Sequence, residues 1–310
     1  MVNVAVLGGS GHVGKAVVEA INDDKSHSVI VLSRQQPDAK PEQTSTVSVD
    51  YEDEECLVSV LETHEIHTVI SCLGVHDEKI AQVEAAVIRA SDKSKHTKRF
   101  IASNWSLPNS PTETLTPWAA FQRNALTLLQ TTSLEWTEVA NGYFLDYWGM
   151  PYIKTHLTPM MPVIDMENKI AAIPGTGDEP IAFSYSLDVA RVVVKMLHLP
   201  QWQETTYVVG DTITWNEFLR LVQEARGSEF QIYHDDLEKL GNGQITELPN
   251  HVAAYPYFPK AHLQYLYATL EKLMVTGHFD LPAEKAANNQ FPDIKMLTVK
   301  KMLAQTWQVA

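Results

Sequence analysis

Apolar positions in the first half of the chain alternate between short continuous runs and a recurrence every three to four residues, so strands and helices are predicted to follow one another. Val4-Ala5-Val6-Leu7 is a run of the kind that is buried on both faces of a parallel sheet. Behind it Val13, Ala16, Val17, Ala20 and Ile21 share one helical face, and Ser28–Ser33 supplies a second strand. The rhythm continues with strands at 46–49, 67–73, 99–103 and 134–140 and helices at 54–64, 78–91 and 118–131. Polar, proline-bearing stretches at 35–44 and 108–117 read as loops. Strands alternating with helices in this way predict an α/β fold with a doubly wound parallel sheet.

From Pro151 the pattern changes. Prolines at 151, 159, 162, 174, 180 and 200 interrupt shorter elements, among them strands at 170–173, 181–184 and 207–210 and a helix at 186–197. Thr214-Trp-Asn-Glu217 is a capping box that opens a helix closed by Gly227, and the aromatic stretch from Tyr255 to Tyr267 reads as further helix. The predicted division is a nucleotide-binding domain over 1–150 and a smaller α/β substrate-binding region over 151–310 that covers the cleft.

The junction of the first strand and helix carries the first chemistry. Gly8-Gly9-Ser10-Gly11-His12-Val13-Gly14 satisfies two glycine registers, 9-11-14 and 8-11-14. Glycines there let the backbone turn sharply and approach a pyrophosphate, which the free N–H groups and dipole of the helix start favour. Gly8, Ser10, Gly11, His12, Val13 and Gly14 are therefore expected to bind a dinucleotide, completing the Rossmann reading of the sheet. At the end of the second strand, roughly 20 residues past the last glycine, an acidic side chain would bond the ribose hydroxyls of NAD. Arg34 stands there instead, and a guanidinium pairs with a 2′-phosphate, so the expected cofactor is NADP(H).

In an open parallel sheet the ligand lies outside the carboxyl ends of the strands, which gathers Gly74, Val75, His76, Ser103, Asn104 and Trp105 into one expected crevice, with Leu73, Asn141 and Phe144 as further cofactor contacts. The chain has 310 residues, 45% apolar, and a net charge of −14, which argues against a nucleic-acid surface. No run approaches a membrane span, the apolar start is too short for a signal peptide, and two cysteines argue for a reducing, cytoplasmic setting. His64-x-x-His67 lacks the remaining ligands of a zinc site, so no metal is expected.

With these residues in hand, the chain resembles the NmrA-like and isoflavone-reductase-like branch of the atypical short-chain dehydrogenases, particularly fungal members. The resemblance runs through Gly8–Gly14, Leu32-Ser-Arg34, Val69–Gly74, Lys98–Ser103, Leu134–Phe144, Ile173–Gly177, Phe183–Asp188 and Val209–Glu217. It implies an NADPH-dependent reductase of a small aromatic or alkaloid-like secondary metabolite, monomeric or homodimeric. Family reductases carry a lysine near the nicotinamide on the helix before the sixth strand; that position falls on Gln122, which cannot give up a proton near neutral pH.

Gln122, which can also hold the nicotinamide amide, is then read as an orienting group. His76 and Tyr143 are candidate catalytic residues, with Arg123, Asp146, Tyr147 and water as other sources of a proton. Trp105, Tyr143, Phe144, Tyr147 and Trp148 are candidate walls for an aromatic or polycyclic substrate. Two alternatives stand beside the reductase. One is a non-redox cyclase or isomerase that keeps NADP(H) as a structural or electrostatic element; the other is a dinucleotide-sensing regulator.

Overall fold

The computed structural model describes residues 1–34, 44–110, 112, 115–116 and 118–307. The loops expected at 35–44 and 108–117 therefore lie largely or partly outside the described residues. In chain order the elements begin β1 (Asn3–Leu7), α1 (His12–Asp24), β2 (Ser28–Ser33), β3 (Thr46–Ser48), α2 (Glu54–Thr63), β4 (Ile66–Ser71), α3 (Glu78–Lys93), β5 (Arg99–Ser106), α4 (Ala119–Leu129) and β6 (Glu135–Ala140). Then come β7 (Tyr143–Phe144), α5 (Asp146–Gly149), β8 (Ile164–Asp165), β9 (Ile170–Pro174), β10 (Pro180–Ser184), α6 (Ser186–Met196) and β11 (Thr205–Tyr207). The chain closes with β12 (Asp211–Thr214), α7 (Trp215–Arg226), β13 (Gln231–Asp235), α8 (Leu237–Gly241), α9 (Pro249–Ala254), α10 (Lys260–Val275) and α11 (Val299–Thr306).

Two compact units result. The first is Met1–Ala140 with Ser186–Val208 and Ala287–Ile294; the second is Asn141–Tyr185 with Val209–Ala286 and Lys295–Ala310. This differs from a single cut at residue 150, because the chain returns to the first unit through α6 and β11. The return has a packing cause. Val189, Val192, Val193 and Met196 line one face of α6, all at most 1% exposed, and α6 packs against α1. The strand expected at 207–210 is formed earlier, at Thr205–Tyr207, where it pairs with β6 and joins its Thr206 hydroxyl to that of Thr137 at 2.8 Å.

The first unit is built on a parallel seven-stranded sheet in the order β11-β6-β5-β4-β1-β2-β3. The order reverses between β1 and β4, which is where doubly wound sheets bind ligands. Val4 to Leu7 are completely buried, as strands covered on both faces must be. The fifth strand, expected to end at Ser103, runs to Ser106 through a register shift between Ile101 and Trp105.

The second unit holds two three-stranded sheets, β12-β10-β7 and β13-β9-β8. Its core is aromatic: Trp148, Phe183, Trp215 and Phe218 contact one another with ring centroids 5.2–5.7 Å apart. A second cluster forms around Leu240, Ile245, Leu263, Tyr267 and Ala268. Among the described residues no helix is long and apolar enough to cross a membrane.

Candidate functional site

Helices α1, α2 and α3 follow β1, β3 and β4, and their first turns are finished differently. Asp53 caps α2 by accepting from Cys56 N–H, and Asp77 caps α3 by accepting from Ile80 N–H. Helix α1 starts at Gly11 with no side-chain cap and no acidic residue in its first turn. Orphan N–H groups at a helix start attract an anion, so α1 alone of the three offers its backbone to a ligand.

The glycines before α1 are needed by geometry. Gly8 has φ +69, and a Cβ there would stand 2.6 Å from the Cys72 carbonyl oxygen. A Cβ on Gly14 would lie 2.1 Å from the Gly8 carbonyl oxygen, while Gly11 N–H donates to that oxygen at 2.9 Å. Strand end, turn and helix start are thus packed backbone on backbone. The Ser10, Gly11 and His12 positions face outward, Val13 is half-buried and Gly14 is buried. This cradle fits a diphosphate: it offers N–H groups, excludes side chains and carries no competing carboxylate.

From the cradle a groove of about 760 Å³ runs across the ends of β2, β3 and β4, lined by Gly8, Ser10, Arg34, Tyr51, Leu73, Gly74 and Lys79 among others. Arg34 follows β2 and is exposed. Burial pushes the Tyr51 phenol up to about 12, with the Arg34 charge acting against the shift. Tyr51 and Lys79 add to the groove residues expected from the sequence. Their signal was positional, since one follows the end of β3 and the other opens α3.

The β4 and β5 ends are tied together by hydrogen bonds. Ser103 Oγ donates to the Leu73 carbonyl at 2.6 Å, Ser103 N–H donates to Glu84 Oε1 at 2.8 Å, and Trp105 Nε1–H donates to the Ser71 carbonyl at 3.0 Å. Burial pushes the Glu84 carboxyl up, with the Ser103 N–H working the other way. Gln122 Nε2 donates to Asn104 Oδ1 at 3.3 Å and to the Ser103 carbonyl at 3.5 Å, and Asn104 Nδ2 donates to Glu138 Oε2 at 2.7 Å. With its amide nitrogen so engaged, Gln122 has its carbonyl oxygen, an acceptor, to offer a ligand. His76 is 67% exposed, with Nε2 3.6 Å from Asp77 Oδ2.

The remaining candidates belong to the second unit. Asn141 is fully buried; its amide nitrogen donates to the Gly142 carbonyl at 3.4 Å, and its Oδ1 has no partner among the described residues. Tyr143 and Phe144 form β7, paired with Phe183 and Ser184 of β10. Tyr143 and Tyr147 meet edge-on at 5.7 Å. Trp148 is completely enclosed and is a core residue of the unit rather than an open wall. Burial raises both phenols, and the Tyr143 hydroxyl is buried with no partner among the described residues. Tyr267 and Glu271, which share the electrostatic environment of Tyr143, were not singled out in the sequence. Glu271 did leave a signal there, as an acid on the apolar face that Leu263, Tyr267, Leu270 and Met274 mark along α10.

Comparison with known proteins agrees with this geometry. The profile of a family described as NAD(P)H-binding matches residues 8–158. The chain is 32% identical over 265 residues to oxidoreductase BOA1 of Botryotinia fuckeliana, covering 84% of this chain and 87% of that protein. It is 27% identical to oxidoreductase swnN of Metarhizium robertsii, over 99% of this chain and 98% of the other. Among solved structures, the leucoanthocyanidin reductase–NADPH binary complex from Vitis vinifera superposes with TM-score 0.74 at 16% identity, covering 98% of both chains. An isoflavone reductase structure superposes with TM-score 0.71 at 17% identity, over 98% of both chains. A glycine cradle at an uncapped helix start, the sheet order and these likenesses lead to one assignment: the chain belongs to the NmrA-like and isoflavone-reductase-like family of NAD(P)H-binding oxidoreductases.

Proposed function

We propose that the protein is an NADPH-dependent reductase of a small aromatic or alkaloid-like metabolite. The observation that carries the reading is Arg34, a guanidinium at the β2 end in the groove that begins at Gly8 and Ser10. Gly11, His12, Val13 and Gly14 would hold the diphosphate at the start of α1, and Arg34 would pair with the 2′-phosphate. Leu73, Gly74, Ser103 and Asn104, at the strand ends, with Asn141 and Phe144, are the further cofactor contacts in this reading. NADPH, when bound, supplies a hydride to the substrate.

The Gln122 carbonyl would orient the carboxamide of the nicotinamide or a substrate donor. Tyr143, whose phenol burial keeps protonated and which has no partner among the described residues, is the candidate hydrogen-bond donor to a substrate oxygen. His76 is the candidate solvent-side proton carrier, and Trp105 and Tyr147 the candidate aromatic walls. The free state of Cys56 and Cys72 supports a reducing, cytoplasmic setting.

Fluorescence titration with NADPH and with NADH tests the reading. NADPH is expected to bind at least tenfold more tightly, on the order of the energy of a charge-assisted pair, and Arg34→Ala should abolish the difference without weakening NADH. Equal affinities in the unaltered protein would refute the NADP(H) preference. Transfer of deuterium from labelled NADPH to a product then separates reduction from the second reading, a non-redox cyclase or isomerase. That reading is favoured by Gln122, whose engaged amide supplies no proton, and it requires a product of unchanged oxidation state.

A further inference from the structure

Among the described residues, one buried acid of the second unit has no hydrogen-bond partner. Glu271 is 1% exposed on the buried face of α10, and among the described residues neither of its carboxyl oxygens receives a hydrogen bond. A carboxyl taken out of water in this way loses its solvation with nothing returned. The charged groups that act on it do not resolve this. Lys239 Nζ is already held by Asp235 Oδ1 at 2.6 Å and by Thr246 Oγ1 at 2.7 Å, and the Asp235 charge repels an ionised Glu271. Burial, with that repulsion, pushes the carboxyl well above its ordinary range and so favours the protonated form.

The groups sharing its environment are phenols. Tyr267 stands one turn before Glu271 on the buried face of α10, and Tyr143 packs edge-on against Tyr147; an ionised Glu271 would push the Tyr143 and Tyr267 phenols up. All three are nearly buried, at 4%, 7% and 2% exposure for Tyr143, Tyr147 and Tyr267, and burial keeps each neutral. The cluster therefore combines an acid able to give a proton, an unpartnered hydroxyl and several ring faces. It lacks a cation.

We propose that Glu271, with Tyr143, Tyr147 and Tyr267, forms a subsite for the basic nitrogen of an amine ligand. The proposal deepens the reductase reading, on which it rests for the ligand's role as substrate. When the free-base amine enters, the Glu271 O–H bond breaks and the nitrogen lone pair takes that proton to form an N–H bond. When the amine enters already as the ammonium, the Glu271 proton leaves to solvent, and in both cases an ammonium–carboxylate pair results with nothing oxidised or reduced. The ring faces stabilise the cation so formed, and the carboxylate acquires the donor it lacks. An uncharged ligand of the same shape gains neither effect.

The test uses the full chain saturated with NADPH, with benzylamine and benzyl alcohol as probes. By calorimetry benzylamine is expected to bind at least about tenfold more tightly than the alcohol, and Glu271→Gln should remove that preference. Infrared difference spectra of the unaltered protein should show a protonated-carboxyl band that benzylamine removes and benzyl alcohol does not, which gives a readout even if the variant fails to fold. Equal binding of the two probes, or an amine preference retained in Glu271→Gln, would make Glu271 a packing acid and overturn the subsite. NADPH titration of the same samples separates the two ideas. Tight NADPH binding without amine selectivity sinks the subsite alone; amine selectivity without NADPH binding sinks the reductase reading alone.

Discussion

The two units present their candidate sites in different materials. In the first, the ligand-facing surface is backbone: a turn whose glycines admit no side chain and a helix start left uncapped while α2 and α3 are closed by Asp53 and Asp77. In the second it is side chain: phenols and a carboxyl buried among rings, each shifted toward its neutral form. A backbone site suits a ligand that never changes, because N–H groups are fixed by the fold. A side-chain site can be altered one residue at a time, which suits ligands that differ between relatives.

The comparison breaks most visibly where each unit depends on one residue. Trp148 is completely buried and meets Tyr143, Tyr147, Phe183, Trp215 and Phe218, and its carbonyl accepts from Trp307 Nε1–H at 2.6 Å. Trp148→Ala is expected to lower stability by about 3–5 kcal/mol in urea unfolding. NADPH affinity of the molecules that remain folded should not change. A loss below about 1 kcal/mol would mean that the aromatic core collapses around the gap.

Gly14→Ala comes next. Its Cβ would meet the Gly8 carbonyl oxygen at 2.1 Å and Gly9 Cα at 2.8 Å, and neither backbone atom can swing aside as a side-chain tip would. Forcing the turn open should cost about 1–3 kcal/mol and weaken NADPH in the fluorescence titration by more than it weakens the fold. An unaltered NADPH affinity would place the diphosphate elsewhere.

This contrast also explains what was legible in the chain. The cradle was readable because glycine spacing reports backbone directly, and so were the strands from Val4 to Ala140, whose apolar runs report burial on both faces. The cap at Thr214 and the αL glycine at Gly227 were readable for the same local reason. Strand β13 was not, because Gln231, Tyr233 and His234 are exposed and leave no alternation to follow. The return of α6 and β11 to the first unit was hidden too, since a pairing such as that of Thr205 with Glu138 joins residues distant in sequence. Glu271 shows the limit most clearly: its place on an apolar face was written in the sequence, but its lack of a partner depends on where Lys239 and Asp235 are folded.

The smallest effect sharpens the comparison through pH, since each unit buries a neutral histidine in the same way. In the first, His27 Nδ1 accepts from Val2 N–H at 3.3 Å and Nε2 faces His198 Nε2 at 3.1 Å. In the second, His251 Nδ1 accepts from Leu248 N–H at 3.2 Å and Nε2 faces the Pro162 carbonyl at 2.9 Å. An Nδ1 that accepts a backbone N–H cannot carry a proton, so both rings are held neutral, and burial lowers both from 6.5. Their contribution is complete above the unfolded value of 6.5 and is lost as pH falls from there toward the lower folded value.

Buried Glu84 and Glu271 work with the opposite sign. Each is raised from 4.5, so each favours the folded state at low pH and withdraws that support as pH rises above 4.5. The two pairs oppose one another over the interval between, and only a difference measurement isolates the histidine part. Between pH 7.5 and 5.5, His251→Gln, with an amide able to bond both backbone partners, should lose less urea stability than the unaltered protein, by no more than about 1.4 kcal/mol, the worth of the one pH unit below 6.5. His27→Gln should behave alike, because the two sites share one hydrogen-bond logic. If only His251→Gln flattens the profile, His27 gives up its Val2 bond on protonation at little cost and turns to its Asp24 and His198 neighbours, and the corner of the first unit is the softer of the two.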